Sequence, residues 1–247
     1  MRQVPHEIKT IQEALDKSND GDTIAIAPGC YYENLHVRTD VSLRADVPPF
    51  LPAGSEREVH VCGGRGAGST LHVPMEERRD EMGHRVQKSL HVKLVNLCIH
   101  MPHPDTLDQH AIEVDHSRLD LDHCTVTGGT HGIFASGHAA VQVNASVVRS
   151  ARRAGISLFS GAHLSIKDSQ VVLNGEDGLS VCGFSASKEP AGSRLHIETS
   201  KVANKTYQKS KQKVPRVHAS PANSPQTLQL YDSSSSIKIA DTQQYMR

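Results

Sequence analysis

The second half of the chain alternates apolar and polar positions in short bursts that return in step. Leu119-Asp120-Leu121-Asp122-His123-Cys124-Thr125-Val126 comes back as Val141-Gln142-Val143-Asn144-Ala145-Ser146-Val147-Val148. It returns again from Leu164 to Val171 and from Leu195 to Val202, so the starts lie 22, 23 and 31 residues apart. A second phrase keeps pace: His110-Ala111-Ile112, His131-Gly132-Ile133, Ala154-Gly155-Ile156 and Asp177-Gly178-Leu179. Period-2 alternation marks strands with one buried face. A repeat of about 22 residues is too short for a strand-helix-strand crossover, which needs roughly 30. The pattern predicts an all-β fold, a right-handed single-stranded parallel β-helix in which each rung stacks ~4.8 Å from the last.

The alignment predicts three inward columns: Leu119/Val141/Leu164/Leu195, Leu121/Val143/Ile166/Ile197 and Ile112/Ile133/Ile156/Leu179. Cys124, Ser146, Ser169 and Ser200 form a fourth, small and inward. Ala111, Gly132, Gly155 and Gly178 mark a tight bend where a side chain is costly. Upstream, Val92 to Ile99 fits one rung earlier. Downstream, Ile237 to Gln243 aligns with Leu164 to Gln170, with Leu228-Gln229-Leu230 as partner strand. Ile8, Ile11 and Leu15 lie at helical spacing, so residues 6–20 read as a capping helix ahead of the first rungs. The whole chain, 1–247, reads as one domain, with an irregular insertion at 48–85 and regular rungs over 86–203. A disordered basic Ser/Pro loop follows at 204–226, and a last rung at 227–243. A solenoid that ends so close to an apolar rung implies self-association or further chain beyond it.

Composition narrows the function. Lys+Arg and Asp+Glu are equal at 27 each, so no global field recruits nucleic acid or an anionic membrane. Five cysteines without a CxxC pair read as reduced thiols in a cytoplasmic setting. The 16 histidines are scattered; the densest group is Cys98, His100, His103, His110 and His123, in which Pro102 and Pro104 break any helical ligand spacing. No metal ligand set or cofactor motif is read from the chain.

The segment from Thr10 to Val37, with Ile11-Gln12, Ala14, Gly21-Asp22-Thr23-Ile24, Pro28-Gly29, Tyr31 and Glu33, resembles the opening of pectin-lyase-like β-helix proteins. That resemblance implies the fold. Its pectin methylesterase branch implies further Gln-Asp and Arg-Pro-Trp motifs, and the polygalacturonase branch a Gly-His-Gly; both sets are missing here. In character the chain is similar to the eukaryotic β-helix adaptors, F-box β-helix proteins and Shc-SH2-binding proteins. The reading is therefore a non-catalytic protein-interaction scaffold with protein partners. The alternative is a carbohydrate-active enzyme (a polyuronide lyase, hydrolase or esterase) or a sugar-binding module. As an enzyme, its acid/base candidates are Asp177, His131 and His110, with Glu176 and Asn174 close by. A sugar-binding module needs exposed rings, for which Phe134 and Phe159 stand at outward positions. The binding residues read from the pattern are the outward ladder Asp122/Asn144/Lys167/Glu198 and the basic run Lys205, Lys209, Lys211, Lys213 and Arg216.

Overall fold

The computed structural model describes residues 1–47, 58–64, 68–79, 82–102, 104, 106–159, 161–182, 194–198, 200–204, 216–219, 228–230 and 238–241. Its strands form three parallel sheets, A, B and C, of nine, seven and eight strands. Each turn of the chain gives one strand to each sheet: Arg118–Asp122 lies in A, Thr125–Gly128 in B and Ile133–Ser136 in C. Ala140–Asn144 then returns to A beside Arg118–Asp122. The molecule is a right-handed parallel β-helix.

The inward columns pair as the pattern predicts. Leu119 faces Val141, Val141 faces Leu164 and Leu164 faces Leu195. Ile112, Ile133, Ile156 and Leu179 stack likewise in sheet C. All are buried, and together with Val61, Ile99, Val126, Val148 and Val171 from sheet B they form one continuous core. Truncating one such side chain, as in Leu121→Ala, removes transfer energy and leaves a cavity, at a cost of about 2–5 kcal/mol.

Two corners shape each rung. Between sheets A and B the chain turns on a left-handed residue: Asn96 (φ 56), His123 (φ 54), Ala145 (φ 45) and Asp168 (φ 49). The next residue points inward; after His123, Ala145 and Asp168 it is small, and after Asn96 it is the buried Leu97. Cys124 N donates to Ser146 Oγ (2.9 Å), Ser146 N to Ser169 Oγ (3.0 Å) and Ser169 N to Ser200 Oγ (3.1 Å). Each hydroxyl thus satisfies a buried amide that the bend removes from the sheet ladder. Between sheets B and C the rungs approach closely. A Cβ on Gly132 would lie 2.6 Å from the Gly155 carbonyl oxygen, and one on Gly155 2.8 Å from that of Gly178.

At the N-terminal end the helix is shorter than the 6–20 predicted. It spans Ile11–Asp16 with Thr10 as N-cap, burying Ile11, Ala14 and Leu15. It packs against strands Arg2–Val4, Asp22–Ile26 and Leu35–His36. The first of these is an unforeseen strand that pairs with Asp22–Ile26 in sheet A. Glu33 binds this helix to the first rung: its carboxylate accepts from Ile11 N (3.0 Å) and Gln12 N (2.8 Å). Gln12 completes the join, accepting from His36 N (2.8 Å) and donating to His36 O (3.1 Å). Tyr31 Oη donates to Ala27 O (2.8 Å). In this chain, then, Gln12 and Glu33 of the N-terminal motif tie the helix to the first rung, and Tyr31 closes the turn at Pro28-Gly29.

The segment 48–85 is more regular than expected. Val59–Cys62 and Leu71–Val73 are rung strands of sheets B and C. Glu76–Arg79 and Arg85–Lys88 form an antiparallel hairpin beside the solenoid. Within 204–226, Arg216–Ala219 is a strand of sheet C paired with Leu179–Cys182, so this stretch is not wholly loop. The C-terminal assignment also changes. Leu228–Leu230 takes the sheet A place, facing Leu195–Ile197, whereas Lys238–Asp241 joins sheet C.

Replacing Glu33 by Ala leaves two helix N–H groups without their charged acceptor and is expected to cost ~1.5–3 kcal/mol. Chemical denaturation of the variant measures this. A loss under ~0.5 kcal/mol would show that the carboxylate does not hold the helix.

Candidate functional site

Sheet A turns two parallel polar columns outward. Asp122, Asn144, Lys167 and Glu198 stand in register on successive rungs, as the sequence predicts. Two residues earlier on the same strands run Lys93, Asp120, Gln142, Ser165 and His196. Lys167 Nζ lies 3.3 Å from Glu198 Oε1, and Asp122 Oδ1 lies 2.9 Å from His123 Nδ1.

Asp120 is the most enclosed carboxylate of this face, its side chain 16% exposed. Its Oδ2 lies 2.8 Å from His91 Nε2, and Arg118 donates from Nε to Oδ1 (3.0 Å) and from Nη2 to Oδ2 (3.2 Å). His91 is itself anchored, its backbone N–H donating to Asp40 Oδ1 (2.8 Å). Lys88 bridges Asp40 (2.7 Å) and Asp20 (2.8 Å), and Arg78 closes on Asp20 at 2.9 Å. The Arg78 and Lys88 cations hold the Asp20 carboxyl well below the usual carboxylate range. The hairpin thereby braces the edge from which His91 reaches Asp120. Asp120 and Asp122 project from one strand two residues apart, roughly 6.6 Å at the strand rise.

The histidine candidates sit elsewhere, at the corner leading into sheet C. Backbone hydrogen bonds run from Thr70 N to His110 O, Ala111 N to His131 O and Gly155 N to Asp177 O, which sets these residues at equivalent corners. His110 and His131 stack at 5.3 Å between ring centroids. Of their expected companions, Asn174 is fully buried, its Oδ1 accepting from Ala151 N (3.0 Å), and Glu176 is taken by Arg153 Nε at 3.1 Å. Asn174 therefore faces the core and does not join a surface acid/base set. Burial disfavours the charged imidazoles, lowering His110 to about 3 and His131 to about 4. Phe134 and Phe159 are outward on sheet C and half-buried. Phe134 stacks on His110 (4.5 Å, 6°) and lies 5.1 Å from Phe159, so it packs between two neighbouring rings.

Sheet B carries a third group. Glu58, His60 and Cys98 bring their ligand atoms within 4.8 Å of one another. Burial, with the Glu58 carboxylate adding to it, pushes the Cys98 thiol up to about 11. The sequence reading passed over this trio, and over Asp120, His91 and Arg118 as well. Lys205, Lys209, Lys211 and Lys213 lie outside the described residues, and Arg216 is placed only as the start of a sheet C strand.

No protein-family model matches the chain, and no curated protein matches it in sequence. Among solved structures it is similar to a pectin methylesterase from Aspergillus niger in deglycosylated form. The match has 11% identity, covers 96% of this chain and 82% of that one, and has a TM-score of 0.34. It is also similar to the A-module of the Azotobacter vinelandii mannuronan C-5 epimerase AlgE4, with 12% identity, 94% and 93% coverage and a TM-score of 0.24. The solenoid itself is fixed by the strand register described above.

His110 and His131 give a pH signature. Unfolded, each takes up a proton near pH 6.5; folded, burial resists this until about pH 4 and below. Stability is then full above pH 6.5 and falls as the pH drops toward 4. Thermal melts from pH 7.5 to 4 are expected to lose several degrees, and His131→Gln with His110→Phe to flatten that slope. An unchanged slope in the double variant would assign the acid sensitivity to other groups.

Proposed function

We propose that this chain is a carbohydrate-active protein that takes an acidic polysaccharide, a polyuronide, along the outer face of sheet A. Asp120 and Asp122 serve as its central carboxylate pair. The observation that carries this reading is Asp120 gripped by His91 from the adjacent rung and by Arg118 on its own strand, with Asp122 two residues away on the same face. A carboxylate fixed by an imidazole and a guanidinium in a partly enclosed position is pre-oriented for acid-base or electrostatic work on a bound polymer.

The surrounding chemistry favours a hydroxylated chain over a protein surface. Protein interfaces draw affinity from aromatic and apolar anchors in dry pockets. From His91 to Glu198, the described outward positions of sheet A are polar or charged except for Val95 and Ala140. Gln142, Asn144 and Ser165 offer donors and acceptors at rung spacing, and the exposed Lys93 and Lys167 flank the aspartates with positive charge. A repeating polymer bearing hydroxyls and carboxylates matches such a face. A scaffold for proteins, the first expectation from the sequence, finds no anchor there.

Affinity electrophoresis in gels containing polygalacturonate, alginate or neutral dextran tests the reading. Retardation is expected in the acidic gels only, weakened ~10-fold by Lys93→Ala combined with Lys167→Ala, about 1.4 kcal/mol. Turnover of the retained polymer should disappear in Asp120→Asn while retardation persists. Equal behaviour in dextran, or none in any gel, would overturn the reading, and binding without turnover by the unaltered protein would remove its catalytic half.

A further inference from the structure

The parallel register of sheet B sets His60 directly opposite Cys98 on the next rung. Both point outward and are half-buried. Glu58 stands two residues before His60, its backbone held by the hydrogen bond from Gly29 N to Glu58 O at 3.0 Å. The side chains converge on one point: Glu58 Oε2 lies 3.2 Å from His60 Nε2 and 3.8 Å from Cys98 Sγ. In a tetrahedral zinc site, bonds of ~2.0–2.1 Å to N and O and ~2.3 Å to S put neighbouring ligand atoms roughly 3.4–3.6 Å apart. The observed separations bracket that edge length. Among the described residues this is the one cluster of three or more such groups.

The geometry points to a binding site for a zinc-class divalent cation on the outer face of sheet B, with the Glu58 carboxylate, His60 Nε2 and the Cys98 thiolate as ligands and a fourth position open to water. The donor set is the mixed nitrogen, sulfur and oxygen type that suits such ions. On binding, the Cys98 thiol gives its proton to solvent and the sulfur bonds the cation. A carboxylate beside a thiol otherwise repels the thiolate, and a divalent cation between them reverses that relation. Glu58 is 66% exposed and His60 32%, which leaves the cation a path from solvent. Thr125 stands opposite Cys98 on the following rung, which puts a hydroxyl beside the sulfur. The site lies on a different sheet from Asp120 and stands independently of the polysaccharide reading.

The test is titration of the full chain, stripped of metal, with Co²⁺ and then Zn²⁺. Tetrahedral Co²⁺ is expected to give visible ligand-field bands and a near-ultraviolet thiolate charge-transfer band, both displaced by Zn²⁺ at one equivalent. Cys98→Ser should abolish the thiolate band, and His60→Ala should weaken Zn²⁺ binding ~100-fold or more. Cys62→Ser, which alters a neighbouring thiol outside the trio, should change neither. Circular dichroism of each variant verifies the β-helix, since half-exposed positions do not carry the core. Absence of a thiolate band in the folded protein, or a band that survives Cys98→Ser, would overturn the assignment.

Discussion

A rung of this solenoid cannot bury its own apolar face, and everything else follows from the need to set each rung squarely on its neighbour. Leu121 is dry only because Leu94 lies on one side and Val143 on the other. A shift of one residue in any strand would turn the whole inward set to solvent. The corners enforce this register. A left-handed residue such as His123 or Ala145 fixes where sheet A ends, and closely stacked Gly132 and Gly155 fix where sheet C begins. The outward side chains pay no such penalty, so chemistry is free to vary on the outer faces.

That division explains what the sequence reveals. Inward columns were legible because each position accepts only a narrow class of side chain, and Leu119, Val141, Leu164 and Leu195 repeat that class, the first three at a nearly constant spacing. The C-terminal strands were misassigned for a related reason. Leu228-Gln229-Leu230 and Ile237-Lys238-Ile239 carry the same alternation, and alternation identifies a strand without saying which of three sheets it joins. Arg2–Val4 was invisible because three residues before Pro5 are too short to show a period. Glu33 was visible as a motif residue, but its partner Ile11 N is a backbone group that no sequence displays.

The outer faces were legible only through arithmetic on the register. The ladder Asp122/Asn144/Lys167/Glu198 emerged because the inward columns beside it were already aligned. The same alignment carried one rung back puts His91 and Arg118 next to Asp120, so the signal for that cluster was present in Val92 matching Leu119. His60 and Cys98 offered no comparable signal. They are 38 residues apart, and the segment between them holds a hairpin as well as a rung strand, so no constant period connects them. The histidine corner was legible as a column: His110 lies beside His131 and Phe134, both imidazoles are sheltered, and Asn174 turns into the core.

The serine corner has a direction. The amides of Cys124, Ser146 and Ser169 each donate to a hydroxyl on the rung that follows, while the Ser146 and Ser169 hydroxyls donate back to the Asn144 and Lys167 carbonyls at 2.6 Å. A ribosome emits this chain from the N-terminus at about 5–20 residues per second. Each corner amide is therefore made roughly 1–4 seconds before its acceptor hydroxyl, the time to synthesise one more rung of about 22 residues. At every stage of synthesis the newest of these three corners lacks its acceptor until the next serine is added.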